Sequence, residues 1–150
     1  MEPKRRLPAE WEAQSAVQFT FPHAGTDWAD VLDSVIPCFA EIIETVSRYE
    51  PVLVVCQDAR VAGAHLAAVD PGRLRLVELL SNDTWARDHG GITVFEDGRP
   101  LILDFFFNGW GLKFPADRDN LITGRLAARG AFGNIPVQKV GLVLEGGSIE

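Results

Sequence analysis

The chain has 150 residues, 47% of them hydrophobic and 23% charged, a length that buries roughly 70% of the unfolded surface in one core and a composition unlike disordered, collagen-like or membrane-spanning chains. Fourteen Lys and Arg against 21 Asp and Glu leave a net charge of −7, which argues against a nucleic-acid partner, because phosphate neutralisation needs clustered basic side chains. No run reaches the ~18 apolar residues of a spanning helix, and no apolar signal region follows the charged start MEPKRRLPAEWE, so no membrane contact and a cytoplasmic location are expected.

Apolar, β-branched segments alternate with helix-period segments, the pattern of an α/β or α+β domain. Ala16 to Phe21 reads as a strand and Pro22-His23-Ala24-Gly25 as the loop ending it. Thr26 and Asp27 then offer N-caps to a helix whose apolar face is Leu32, Val35, Ile36, Phe39, Ile42, Ile43 and Val46, with a kink or break expected at Pro37. Pro51 to Cys56 is a continuous apolar run, suited to a strand covered on both faces. Asp58 can cap a short helix through Val69, and Arg73 to Leu80 reads as the next strand. After the polar loop Ser81 to Gly91, Ile92 to Phe95 and Pro100 to Phe107 form a hairpin around Asp97-Gly98, whose positive φ values suit the tight turn. A second polar loop starts at Asn108. Asp117 or Asp119 caps a helix to about Arg129, ended by Gly130 and Gly133; Pro136 to Val140 and Leu142 to Leu144 are two short strands. Gly147-Ser148-Ile149-Glu150 reads as the start of another strand with no cap or polar tail behind it, so the chain reads as cut. The order of elements suggests two similar βαβ-type units laid end to end.

Loops at strand ends are where scaffolded functional groups sit, and Trp85-Ala86-Arg87-Asp88 lies between a strand end and a glycine pair. The Asp88 carboxylate matches two parallel N–H groups of a guanidinium, and the Trp85 indole face attracts the same cation. The same residues would serve structure alone if Asp88 paired with Arg87 or capped local N–H groups while Trp85 filled a core gap. Leu144-Glu145-Gly146-Gly147 puts a carboxylate after an apolar strand, with two glycines that admit close approach of backbone or ligand; an incidental glutamate before a turn is the alternative. Asn108 and Trp110, in the aromatic stretch Phe105 to Gly111, either wall a pocket or pack under a loop. His23, His65 and His89 stand in different segments without the spacing of a metal triad, so no metal is expected. Cys38 and Cys56 read as reduced thiols, and neither reads as a nucleophile, Asp58 lying where it raises the Cys56 pKa. No phosphate-loop, dinucleotide or Gly-x-Ser-x-Gly hydrolase motif occurs.

In order along the chain, Leu7-Pro8-Ala9-Glu10-Trp11-Glu12, Phe21-Pro22-His23 with Thr26-Asp27-Trp28, Asn82-Asp83-Thr84-Trp85-Ala86-Arg87-Asp88-His89-Gly90, Phe107-Asn108-Gly109-Trp110-Gly111 and Leu144-Glu145-Gly146-Gly147 resemble the N-terminal part of the agmatine deiminase family, relatives of the Porphyromonas-type peptidylarginine deiminases. The resemblance implies a pentein fold, an α/β propeller of ββαβ units of which about two of five would be present, residues 1–150 being the N-terminal portion of one catalytic domain. It also implies a mechanism in which a cysteine attacks the guanidinium carbon, ammonia leaves, and histidine-activated water hydrolyses the thiouronium. Asp88 would then be a guanidinium-binding carboxylate, Trp85 a wall of the substrate pocket and Glu145 the acidic partner of the catalytic histidine. The family's Gly-His-x-Asp segment and its C-terminal cysteine segment are absent from these residues. Gly91, where the family usually has proline, and Phe21, where it usually has tryptophan, are departures expected to change packing alone.

The expected function is therefore that of an agmatine deiminase, converting agmatine and water to N-carbamoylputrescine and ammonia without a cofactor, with a small cationic guanidine as partner and this chain inactive by itself. A peptidylarginine or free-arginine deiminase is the alternative within enzymes, and a non-catalytic guanidinium-binding or assembly module the alternative outside them. Between Asn82 and Gly91 and between Phe105 and Gly111 the one basic group besides His89 is Arg87, which favours a substrate without a carboxylate. Exposed strand edges and apolar faces would make the isolated chain self-associate, as a homo-oligomer or aggregate.

Overall fold

A computed structural model describes residues 4–149. Its elements run β1 (Arg5–Arg6), β2 (Val17–Thr20), α1 (Leu32–Ser47), β3 (Val52–Cys56), α2 (Ala59–His65), β4 (Leu74–Glu78), α3 (Ala86–His89), β5 (Ile92–Glu96), β6 (Arg99–Phe106), α4 (Gly109–Leu112), α5 (Ile122–Ala128) and β7 (Val137–Val143). They divide into two compact units, one of Gln14–Ala86 and one of the flanking segments Met1–Ala13 and Arg87–Glu150.

The Gln14–Ala86 unit is a three-stranded parallel sheet in the order β2-β3-β4. All five residues of β3 are buried, as the unbroken apolar run requires of a central parallel strand. Val52, Val54 and Cys56 on one face join Phe21, Ile43, Ala62, Leu66 and Val69 in a core onto which α1 lays Ile36, Phe39 and Val46. The α1 periodicity is as expected, but the caps are not. Thr26 turns its hydroxyl onto the His23 carbonyl (2.8 Å), a single 3-10 turn at Ala29–Val31 intervenes, and the N-cap is Val31, with no side-chain bond. Pro37 does not break α1, which runs through it unbroken; the proline sits in the second turn, where it removes one intrahelical bond while the apolar face stays packed. Asp58 does cap α2, its Oδ1 accepting from the N–H groups of Arg60 (2.8 Å) and Val61 (2.9 Å). That helix stops at His65 rather than Val69.

In the other unit a four-stranded mixed sheet has the order β1-β5-β6-β7. β5 and β6 form the expected hairpin, with Asp97 (φ 48°) and Gly98 (φ 80°) supplying the left-handed turn pair. β7 returns parallel to β6 after α5, aligning Leu103 with Gln138 and Asp104 with Lys139 before a shift between Asp104 and Phe106. Buried Asp104 is neutralised across that pair by Lys139 Nζ at 3.1 Å. Val94, Leu101 and Leu103 form the core of one face. Phe21 and Gly91 take up packing roles, Phe21 in the parallel unit's core and Gly91 where a Cβ would press on Ile102 and Thr123.

Three expectations are corrected in this unit and a fourth across the two. The α5 region begins with a 3-10 turn at Asp119–Leu121 and has no side-chain cap. The two strands read on either side of Gly141 are one strand, β7, because an exposed edge strand tolerates a glycine without losing its backbone pairing. Gly146–Ser148 is a 3-10 turn rather than a strand, and Glu150 lies outside the described residues. The two units are also not alike, one being wholly parallel and the other mixed. Among the described residues no helix is long and apolar enough to cross a membrane.

Candidate active site

Ligands of open parallel sheets gather at the carboxyl ends of the strands, and in the parallel unit the loops after β2 and β4 are knitted together there. His23 Nδ1 accepts from the Gly25 N–H (3.0 Å), so the proton of the neutral ring resides on Nε2, which donates to Ser81 Oγ (3.0 Å). Trp28 Nε1 donates to Thr84 Oγ1 (2.9 Å). Trp85 packs on Trp28 with ring centroids 5.8 Å apart, and its Nε1 reaches Asp27 Oδ2 at 3.5 Å. Its 40% exposure leaves indole surface available. Burial first, then the neighbouring Asp27, holds the Asp83 carboxyl above the usual carboxylate range. No sequence spacing marks the Asp27–Asp83 pairing, since residues 56 positions apart meet here through the parallel register of β2, β3 and β4.

The other four candidate residues fall in the mixed unit. Asp88 lies in the single turn α3, and each of its oxygens has a protein donor: Oδ1 accepts from the Gly147 N–H (3.0 Å) and Oδ2 from Trp110 Nε1 (3.2 Å). Each carboxylate oxygen carries two lone-pair sites, so one per oxygen is left for a fork-shaped cation. Arg87 does not pair with Asp88; its Nη2 donates to the Ile149 carbonyl at 2.6 Å. The glycines of Glu145-Gly146-Gly147 permit this approach. A Cβ on Gly146 would overlap the Arg87 carbonyl oxygen and one on Gly147 would overlap Asp88 Oδ1. Glu145, half-buried, heads the same 3-10 turn, its carbonyl accepting from the Ser148 N–H (3.0 Å) and Oγ (2.6 Å).

Asn108 works as a cap, its Oδ1 accepting from the Gly111 N–H at 2.9 Å. The turn it caps is left-handed throughout, with φ of 61° at Gly109, 55° at Trp110, 78° at Gly111 and 65° at Leu112. For the two residues with side chains this conformation costs about 1–2 kcal/mol each. Two glycines around a tryptophan were the sequence signal for it, yet a non-glycine run of this kind is too rare to expect from spacing. Beside Asp88, His89 is 4% exposed, packs on Phe107 and has no partner for either ring nitrogen among the described residues. Burial pulls its pKa from 6.5 down to about 4, against the opposing pull of Asp88, so it is neutral at pH 7. Cys56 is buried with its thiol pushed up to about 11 by burial, then Glu78, then Asp58, and Cys38 lies exposed on α1. The raised pKa of Cys56 is the opposite of what an activated nucleophile needs.

The family model described as Porphyromonas-type peptidyl-arginine deiminase matches residues 6–150. An agmatine deiminase of Stutzerimonas stutzeri (strain A1501) is 35% identical over 149 residues, 95% of this chain and 40% of that protein. A solved C. jejuni agmatine deiminase with substrate bound superposes with a TM-score of 0.90 at 30% identity, covering 99% of this chain and 43% of its own. A candidate arginine deiminase from Porphyromonas gingivalis gives 0.84 at 49% identity, over 98% of this chain and 44% of that one. The chain thus spans about two fifths of the length of the relatives it matches.

Proposed function

The chain belongs to the Porphyromonas-type peptidyl-arginine deiminase family and has a partial pentein fold, and from that premise we propose that it supplies the carboxylate side of an agmatine deiminase site. The observation that carries this reading is Asp88, a carboxylate held at both oxygens by neutral donors and so oriented to receive a planar cation without being neutralised first. In the whole enzyme a cysteine adds to the guanidinium carbon, the tetrahedral adduct expels ammonia, and water activated by a histidine displaces the thiolate to give the carbamoyl product. Asp88 binds and polarises the cation, and Glu145 orients the histidine. Cys38 and Cys56 take no part, so this chain alone releases no ammonia from agmatine.

Substrate choice follows from the charges near Asp88. Arg87 is committed to the Ile149 carbonyl and His89 is neutral at pH 7, which leaves neither to neutralise a substrate carboxylate. Agmatine, ending in an ammonium, fits; free arginine would bury an unpaired carboxylate. A free-arginine deiminase is the second reading, favoured by the 49% identity to the candidate arginine deiminase of P. gingivalis. The test is kinetic. In the whole enzyme Asp88→Asn keeps the shape, loses the charge and lowers kcat/KM for ammonia release by roughly 100-fold or more, and agmatine is preferred to arginine by at least ~100-fold. Near-normal turnover by Asp88→Asn overturns the site; equal use of agmatine and arginine overturns the substrate.

A further inference from the structure

We infer that Trp110 is a positioning residue for Asp88, its indole N–H selecting the lone pairs with which the carboxylate meets a guanidinium; the inference rests on the reading of Asp88 as the guanidinium carboxylate. An unconstrained aspartate can rotate about its Cα–Cβ and Cβ–Cγ bonds and serve a compact ammonium from any side. A guanidinium is planar and presents two parallel N–H groups, so it gains only from a carboxylate whose plane is fixed. Gly147 alone, bonded to Oδ1, leaves rotation about that contact open. Trp110 Nε1 on Oδ2 closes it.

The fold invests in placing this one N–H. Trp110 holds φ 55° inside the left-handed turn, and such a conformer persists only where its surroundings over-determine it. Here they do. Asn108 Oδ1 accepts from Gly111 N, the Asn108 carbonyl accepts from Leu112 N (2.8 Å), and the Gly109 carbonyl accepts from Lys113 N (3.0 Å) and Phe114 N (3.2 Å). The indole is also gripped edge-on by Phe107 (4.8 Å, 88°) and Phe114 (5.7 Å, 87°). Gly109 admits no side chain, because a Cβ would overlap the Phe114 carbonyl oxygen. Packing alone would explain an aromatic ring at this position; it does not explain a strained backbone that turns the N–H onto Asp88.

Trp110→Phe separates the two roles, since it keeps an aromatic ring between Phe107 and Phe114 and deletes the donor. The 150-residue chain is followed by two-dimensional NMR of its backbone and indole N–H groups. Without ligand, Asp88→Asn is expected to shift the Trp110 indole resonance and speed its hydrogen exchange; an unchanged indole overturns the contact whatever the site binds. Agmatine is then titrated beside 1,4-diaminobutane, which has a second ammonium in place of the guanidinium. Wild type is expected to shift its Gly147 and Trp110 signals with agmatine, and Trp110→Phe to weaken agmatine roughly 10-fold while changing diaminobutane less than about 3-fold. If wild type responds to agmatine and Trp110→Phe binds it equally well, or loses both ligands alike, the positioning role falls and the site stands. A wild-type chain that ignores agmatine removes the site reading itself, and the inference with it. Should Trp110→Phe lose the dispersed spectrum of a folded chain, Asn108→Ala, which removes the cap and keeps the indole, is expected to show the same selective loss, and equal binding there overturns the inference.

Discussion

His89 is the residue at which acidity acts on the fold. Its pKa lies near 4 folded against an ordinary 6.5, so between those pH values the unfolded chain takes up a proton that the folded chain refuses. Stability is therefore full above pH 6.5, falls as pH drops through the window and has lost about 3 kcal/mol by pH 4. Thermal melts of wild type and His89→Phe compared from pH 7 to 4 should diverge by that amount in favour of the variant, which keeps the ring against Phe107; parallel curves would show that His89 is not the proton acceptor. Gly147→Ala is a second residue-scale test. Its Cβ displaces Asp88 Oδ1 from an exposed position, so agmatine binding should drop at least ~10-fold while the melting midpoint moves by less than about 1 kcal/mol equivalent; retained affinity would mean that Asp88 tolerates the shift. Asp88 and Glu145 stand out in the sequence as proposed site residues because they are charges beside strand ends and paired glycines. The donors that orient Asp88 do not, since a backbone N–H and an indole with left-handed φ carry no sequence spacing that would bring them there.

At the scale of elements, what could be read followed periodicity and what was misread followed burial. The face of α1 and the buried run of β3 are pure pattern, and both came through. Leu66 and Val69 continue the helical spacing of α2 yet lie past its end at His65; they recur at that interval because the core draws them in from a turn, which spacing cannot distinguish from a helix. Pro37 overstated its own effect, because a proline near a helix start forfeits one bond rather than the helix. Pro37→Ala restores that bond on an intact apolar face and should raise stability by about 1 kcal/mol or more in denaturant titration; a lower midpoint would show that the rigidity Pro37 gives the unfolded chain outweighs the lost bond.

For the whole molecule, the exposed edge of the mixed sheet sets behaviour in solution. β7 ends that sheet and leaves Leu142 at 65% and Val143 at 59% exposure beside Phe106 at 44%, an unpaired edge with apolar side chains. Light scattering at high concentration should show association that Leu142→Lys suppresses; a clean wild-type monomer would contradict this. The family and the α/β class were readable because five short motifs kept their order. The contrast between a parallel and a mixed sheet was not, since strand direction depends on pairings that composition does not encode.

The N-terminal strand has a consequence in time. Arg5 aligns with Glu96 and the Lys4 N–H donates to Asp97 Oδ1 (3.0 Å), a contact 93 residues apart in sequence, and the whole of Gln14–Ala86 lies between. At translation rates of about 5–20 residues per second, β1 emerges roughly 5–20 s before its partner exists. During that interval the parallel unit has all its own strands in hand and can fold around its βαβ connections, whereas the mixed sheet waits for the hairpin to capture β1 by closing a long loop. The order of synthesis thus makes the loops of Trp28 and Trp85 ready first, and the contacts of Asp88 with Trp110 and Gly147 form last.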